Sequence, residues 1–195
     1  FVPGVMALVL MLICSLMTSV SIVREKELGN MEILLVSPLR PATIILSKTI
    51  PYLVLSTTIL ALILVLSTWL LQVPVRGSLA LLLAISMLFI LAALGLGMVI
   101  STITSSQQVA MLISLMGLML PTIMLSGFMF PIENMPGILQ VISNVVPAKW
   151  FYYAISDVMI KGLGFEAVQQ EVLILVWFTA LFLIISLRKF KTRLA

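Results

Sequence analysis

Five stretches of this sequence stay apolar over the length a helix needs to cross a bilayer, about 17 residues or more. They cover approximately 5–23, 43–71, 79–101, 109–126 and 171–187. A water-soluble domain carries about 25% charged residues, whereas this chain has 9% against 62% hydrophobic. In hydrocarbon every backbone N–H and C=O must be paired inside its own helix or around a closed barrel. The runs are continuous instead of alternating at period two, which disfavours the barrel. The predicted class is therefore an all-α polytopic membrane protein, with residues 1–195 as a single transmembrane domain.

The runs differ in what they carry. The first begins at Pro3-Gly4, a favourable helix start. The second would be about 43 Å long as a helix against about 30 Å of hydrocarbon. Its first turns, with Lys48, are expected at the interface, where a lysine snorkels to the headgroups, and Pro51 marks a kink. In the third, Ala93, Gly97 and Ser101 share one helix face and form a small-residue seam for close packing. Pro121 marks a kink in the fourth. The longest connection, 127–170, is broken by Pro131, Pro136, Gly137, Pro147, Gly162 and Gly164. Two helical pieces fit inside it, near 137–146 and 148–160, and neither is both long and apolar enough to span. They are expected to be re-entrant or interfacial.

Positive charge orients the chain. Five spans place Arg24, Lys26, Arg40, Lys48, Arg188, Lys189, Lys191 and Arg193 on one side, and Arg76, Lys149 and Lys161 on the other. The first side is expected to be cytoplasmic, so the C-terminus lies in the cytoplasm and the N-terminus of this stretch outside. Trp69, Trp150 and Trp177 are expected near the outer face as an interfacial belt. The sequence opens Phe1-Val2-Pro3-Gly4 without Met, and five spans that begin outside lead us to expect a sixth helix upstream.

One segment between two spans is dense in charge: residues 24–41, from Arg24-Glu25-Lys26-Glu27 through Pro38 and Pro41. On a 3.6-residue helix Glu25, Gly29, Glu32 and Val36 fall on one stripe and Leu28, Met31, Leu34 and Leu35 on the other side. Such a helix would lie on the membrane by its Leu/Met face and present two carboxylates to the aqueous side. A solvated loop with balanced charge fits the periodicity equally well.

The pattern Arg24-Glu25-Lys26-Glu27-x-Gly29-x-x-Glu32-x-Leu34-Leu35-x-x-Pro38, with Lys48 at the head of the next helix, resembles the hallmark of type-2 ABC transporter permeases, the membrane subunits of bacterial ABC exporters. Ser126-Gly127-x-x-Phe130-Pro131 and the stretch from Pro147-x-x-Trp150 to Gly162 sit where such permeases carry similar residues. Asn30 departs from the Thr common after the motif glycine. The resemblance implies that 24–41 is a coupling helix resting in a groove of a separate ATP-hydrolysing subunit. Glu25, Glu27, Gly29 and Glu32 would be its contact surface, flanked by Arg24 and Lys26, with Leu34, Leu35 and Pro38 as its anchor. It implies Gly127, Phe130, Pro131, Pro147 and Trp150 as an outer gate or re-entrant set. It also implies ATP and Mg on the partner, a second permease copy or a paralogue, a periplasmic adaptor, the bacterial inner membrane, and an extracytoplasmic domain upstream.

Other functions lack their residues. Leu46-Ser47-Lys48-Thr49 has the end of a phosphate loop without its glycines, so ATP hydrolysis is not expected in this chain. With no histidine, no G-x-S-x-G and no mid-span Asp or Glu, neither an intramembrane enzyme nor a metal site is expected. No basic run interleaved with aromatics points to nucleic acid. An ion-coupled transporter or channel is the alternative, disfavoured because Lys48 and Glu171 stand at span ends. Met116, Met119 and Met124 make the fourth span methionine-rich and are candidates for a pliant cargo surface. An uncharged interior agrees with a lipophilic or amphipathic, drug-like cargo.

Overall fold

A computed structural model describes residues 1–29, 41–73 and 75–192, without the side chains of 41–46, 48 and 190–192. The described residues form α1 (Val2–Glu27), α2 (Pro41–Trp69), α3 (Leu79–Ile103), α4 (Gln107–Leu125), a 3-10 turn (Ile132–Asn134), α5 (Gly137–Ser143), α6 (Pro147–Met159) and α7 (Phe165–Thr192). Five of these helices, α1 to α4 and α7, are long and apolar enough to cross a membrane. Pro stands in the first turn of α1 and of α6, where its missing N–H leaves no intrahelical bond unmade. The α3 start is capped by Ser78, whose hydroxyl accepts from the Leu81 amide.

Several boundaries differ from the hydropathy reading, and two of them bear on the charged residues. The first span continues as helix to Glu27, because Arg24, Glu25 and Lys26 are good helix formers and the two cations suit a helix C-terminus. It stops at Leu28, followed by Gly29 at φ +70°, a left-handed conformation that glycine adopts without strain. The last span begins at Phe165 instead of 171, directly after Gly162 and Gly164, with Glu166 in its first turn. That start places Glu171 nearly two turns inside α7. It also puts Trp177 about 18 Å along the helix. Trp177 is thus a mid-helix side chain, 59% exposed on the outside of the bundle.

The centre of the bundle is the pair α1 and α3, each half buried along its apolar window, against 17–22% for α2, α4 and α7. Their approach is set by the small-residue seam: Ala93, Gly97 and Ser101 are all buried. A Cβ added at Gly97 would stand 2.5 Å from the Ser15 carbonyl oxygen and 3.0 Å from Thr18 Cβ. Backbone therefore meets backbone, the contact by which helices gain dispersion energy where lipid offers no hydrophobic contrast. On α4 the polarity is inverted relative to a soluble helix. Ala110, Ser114 and Thr122 face inward, while Leu112, Met116, Leu120 and Met124 face outward.

At the end of the bundle away from Glu27, α6 is wedged between α1, α3 and α7. Its buried residues Ala148, Phe151, Ile155, Val158 and Met159 follow helical spacing. Phe151 stacks on Phe89 of α3 with centroids 4.1 Å apart, both fully buried. Phe89 lies about 15 Å along α3, so α6 reaches down into the bundle instead of lying across its end. The turn between α2 and α3 docks on its end through the Arg76 amide, which donates to the Met159 carbonyl at 3.1 Å.

Replacing Gly97 by Ala forces α1 and α3 apart and is expected to destabilise the bundle by about 1–3 kcal/mol. Gly117 of α4 is the control: a Cβ there meets only Ile113 Cγ2 at 3.8 Å. Gly117→Ala should therefore leave the melting temperature unchanged or raise it. Thermal aggregation of the detergent-solubilised variants, followed by size-exclusion chromatography, reads both.

Candidate functional site at the charged end of the first helix

The charged motif begins as the last turn of α1, not as a separate helix. A continuous helix aligning Glu25, Gly29 and Glu32 is ruled out by the break at Leu28 and Gly29. A Cβ at Gly29 would meet nothing within 4 Å among the described residues, and its positive φ suits the turn. Glu32, Leu34, Leu35 and Pro38 lie outside the described residues, as does the side chain of Lys48.

Two residues of the motif are engaged within the chain. The Lys26 ammonium donates to the carbonyl oxygen of Ser101, one of the last carbonyls of α3. A helix leaves these C-terminal carbonyls without partners, and its dipole places partial negative charge there. Glu27 does the converse at the next helix. One carboxylate oxygen accepts from the Gln107 amide at 2.8 Å, the first N–H of α4, and the other accepts from the Gln107 side-chain amide. Ser106, the N-cap residue by position, makes no side-chain cap bond. A carboxylate from another helix thus does what a local serine usually does, and it faces the positive end of the α4 dipole. Adjacent, oppositely charged side chains on α1 grip the two sides of the α3–α4 turn.

Arg24 and Gly29 stand exposed at the tip, and Glu25 is half-buried beside them. The chain leads from this tip into the rest of the motif. Sequence reasoning placed Ser101 only in the packing seam and missed Gln107, which lies between the third and fourth apolar runs. The pair Ser106-Gln107 opening an apolar run was the available signal for a helix start whose cap comes from elsewhere.

The outer set divides into two places. Gly127 adopts φ +83°, and a Cβ on it would stand 3.2 Å from the Tyr153 hydroxyl. Phe130 and Pro131 line an apolar cavity of about 500 Å³ with Leu120, Met124, Met135 and Leu139. Met124 is the one candidate methionine in it, while Met116 and Met119 project outward from α4. Pro147 and Trp150 belong instead to the α5–α6 corner, where the Trp150 indole N–H donates to the Asn144 carbonyl at 3.0 Å. The buried Lys149 donates there to Ser143 Oγ at 3.0 Å and Asn144 Oδ1 at 2.6 Å. Its burial pushes the ammonium pKa below the usual lysine range.

The description "ABC-2 family transporter protein" matches residues 1–188. The chain is 36% identical over 193 residues to the probable multidrug ABC transporter permease YbhS of Escherichia coli K12, covering 99% of this chain and 51% of that protein. It is 34% identical over 179 residues to the probable multidrug ABC transporter permease YbhR of the same organism, covering 92% and 48%. It is 28% identical over 162 residues to ABC transporter G family member 20 of Dictyostelium discoideum, covering 83% and 22%. The chain thus spans about half the length of the bacterial relatives it matches.

Removing the Glu27 carboxylate leaves the first amide of α4, that of Gln107, without its acceptor. In Glu27→Ala, amide hydrogen exchange over 105–110 is expected to accelerate several-fold, while exchange in the Gly97 contact region stays unchanged. Glu27→Gln, which keeps an acceptor oxygen, should fall between the two.

Proposed function

The chain belongs to the ABC-2 family of transporter proteins, and from that membership we propose that it is the membrane-spanning permease region of an ATP-driven exporter. In this reading residues 24–38 dock on a separate ABC ATPase, which binds ATP and Mg and supplies the energy. The observation that carries it is the division within the charged motif. Lys26 and Glu27 turn inward to grip α3 and α4, and the tip from Arg24 to Gly29 leads out of the bundle into the remaining motif residues. A force applied to that segment enters α1 directly and reaches α3 and α4 through two charge-assisted hydrogen bonds, the stronger class of such bonds.

The end of the bundle that carries Glu27 is cytoplasmic in this proposal, in keeping with its lysines and arginines. The membrane is the bacterial inner membrane, and the working unit contains a second permease copy or a paralogue, with a periplasmic adaptor as a further partner. The cargo is lipophilic or amphipathic and leaves the cytoplasm or the inner leaflet. The names of the bacterial relatives (probable multidrug permeases) and the apolar cavity near Met124 support a drug-like class. The cavity volume lies within the range of about 300–1,000 Å³ of small-molecule sites.

One observation favours the alternative of ion coupling. Glu171 lies within α7, and its Oε2 atom is buried without a hydrogen-bond partner among the described residues. Carboxylates inside membrane helices commonly mark ion or proton paths.

Charge reversal separates the readings. Glu25→Lys combined with Glu32→Lys is expected to abolish co-purification with the ATPase and permease-dependent ATP turnover, while the variant still elutes as a folded protein. Undiminished turnover in that variant refutes the docking proposal. Glu171→Gln should leave ATP turnover and efflux of a lipophilic dye within about twofold of the parent. Loss of dye efflux in Glu171→Gln, with ATPase binding intact, would favour ion coupling instead.

A further inference from the structure

We propose that α1 and α4 move as one body during transport, with Gln107, Ser114 and Phe128 as positioning residues that carry a displacement of the charged end of α1 to the opposite face. The proposal rests on the docking reading above and extends it past the motif. The two helices are tied at three depths. At one end Glu27 holds the first amide of α4 through Gln107. Near the middle, Ser19 and Ser114 hydroxyls are 3.0 Å apart, both fully buried. At the other end the Phe128 ring, three residues past α4, occupies the space that a Cβ on Gly4 would fill. Phe128 also packs edge-on against Phe1 and Tyr152, with centroids 5.8 Å and 6.3 Å away.

Each tie resists a different motion. The carboxylate opposes withdrawal of α4 along its axis, because its departure would give up the charge-assisted bond to the Gln107 amide and the favourable end of the α4 dipole. Ser19 Oγ also donates to the Leu16 carbonyl at 3.0 Å, so Ser114 supplies the hydrogen of the pair. Separation in hydrocarbon leaves the Ser114 hydroxyl without water to replace the bond. Sliding α1 past α4 drives the Gly4 backbone against an aromatic ring, and packed interfaces rearrange in discrete steps instead of deforming continuously. Phe128 is joined to Tyr152 of α6, so motion of this pair reaches that helix.

A disulfide tests the proposal. In a Cys14→Ser background, Ser19→Cys with Ser114→Cys brings two thiols to the position of the hydroxyl pair, close enough for an S–S bond of about 2.0 Å. The permease alone, oxidised with copper phenanthroline in vesicles of E. coli lipid, should form the intrachain disulfide nearly completely. Reconstituted with its ATPase, the oxidised protein should retain ATP turnover within about twofold of the reduced protein. Absence of the disulfide shows that the tie does not exist. Turnover that stops on oxidation and returns with dithiothreitol shows that α1 and α4 must separate, and either result overturns the proposal. If no ATPase binds the unmodified protein, the docking reading fails by itself. Disulfide formation in the permease alone still decides whether the two helices are joined.

Discussion

Everything described here depends on how closely α1 approaches α3. Lipid is as apolar as leucine, so the hydrophobic effect gives two spanning helices no reason to prefer each other over solvent. What remains is contact between surfaces that fit, and at Gly97 the fit is backbone on backbone. That approach has a consequence more than a turn further along. It brings the end of α1 beside the end of α3, so that an ammonium on Lys26 reaches the Ser101 carbonyl and the next residue reaches the start of α4. A bulkier seam would hold the helices apart and leave both groups short of their partners. The small residues in the middle of the membrane and the charges at its edge are therefore one design.

The charged segment consequently has two faces with different duties. A motif that only docked a soluble partner could be a loose loop, since affinity would come from the contact surface alone. Here the first half of the motif is built into the bundle: two of its four consecutive charged residues complete helix termini that would otherwise lack partners. In the proposed docking this gives the segment a fixed root. A load on its tip would be borne by two charge-assisted hydrogen bonds, that of Lys26 part-buried and that of Glu27 exposed at the edge of the bundle.

Much of this was legible in the sequence, and the reasons for the rest are physical. Span number and type follow from hydropathy, because lipid forces long apolar runs into helices. The seam at Ala93, Gly97 and Ser101 follows from spacing alone. Span ends do not, since helix propensity continues past the apolar run wherever the flanking residues favour it. Arg24 to Glu27 extended α1 for this reason, and Phe165 to Gln170 extended α7. The shift at α7 moved Glu171 and Trp177 deeper than their positions in the hydropathy window indicated. The role of Glu27 was hidden more thoroughly. Its partner lies 80 positions away, and a carboxylate that caps a distant helix looks in sequence like any other charge in a polar segment. Gly29 has a duty the motif did not reveal: its left-handed backbone, at φ +70°, follows the last turn of α1 and ends it.

The long connection between α4 and α7 shows the same economy of packing. Its second half, α6, carries fully buried residues at helical spacing and stacks Phe151 on Phe89, which makes it part of the core. Its first half is the reverse: Ile138, Val141 and Val145 are 76%, 68% and 67% exposed, and the apolar cavity opens beside them along α4. The junction between the halves is held by Lys149, a buried cation whose donors reach Ser143 and Asn144 at the end of α5. The ammonium is accommodated there because two side-chain oxygens accept from it, which offsets part of what burial takes from the charge. One polar corner thus joins a rigid wedge to an exposed apolar ledge. A rearrangement at this end of the bundle costs least where α5 and the last turns of α4 meet, because there few contacts have to be broken.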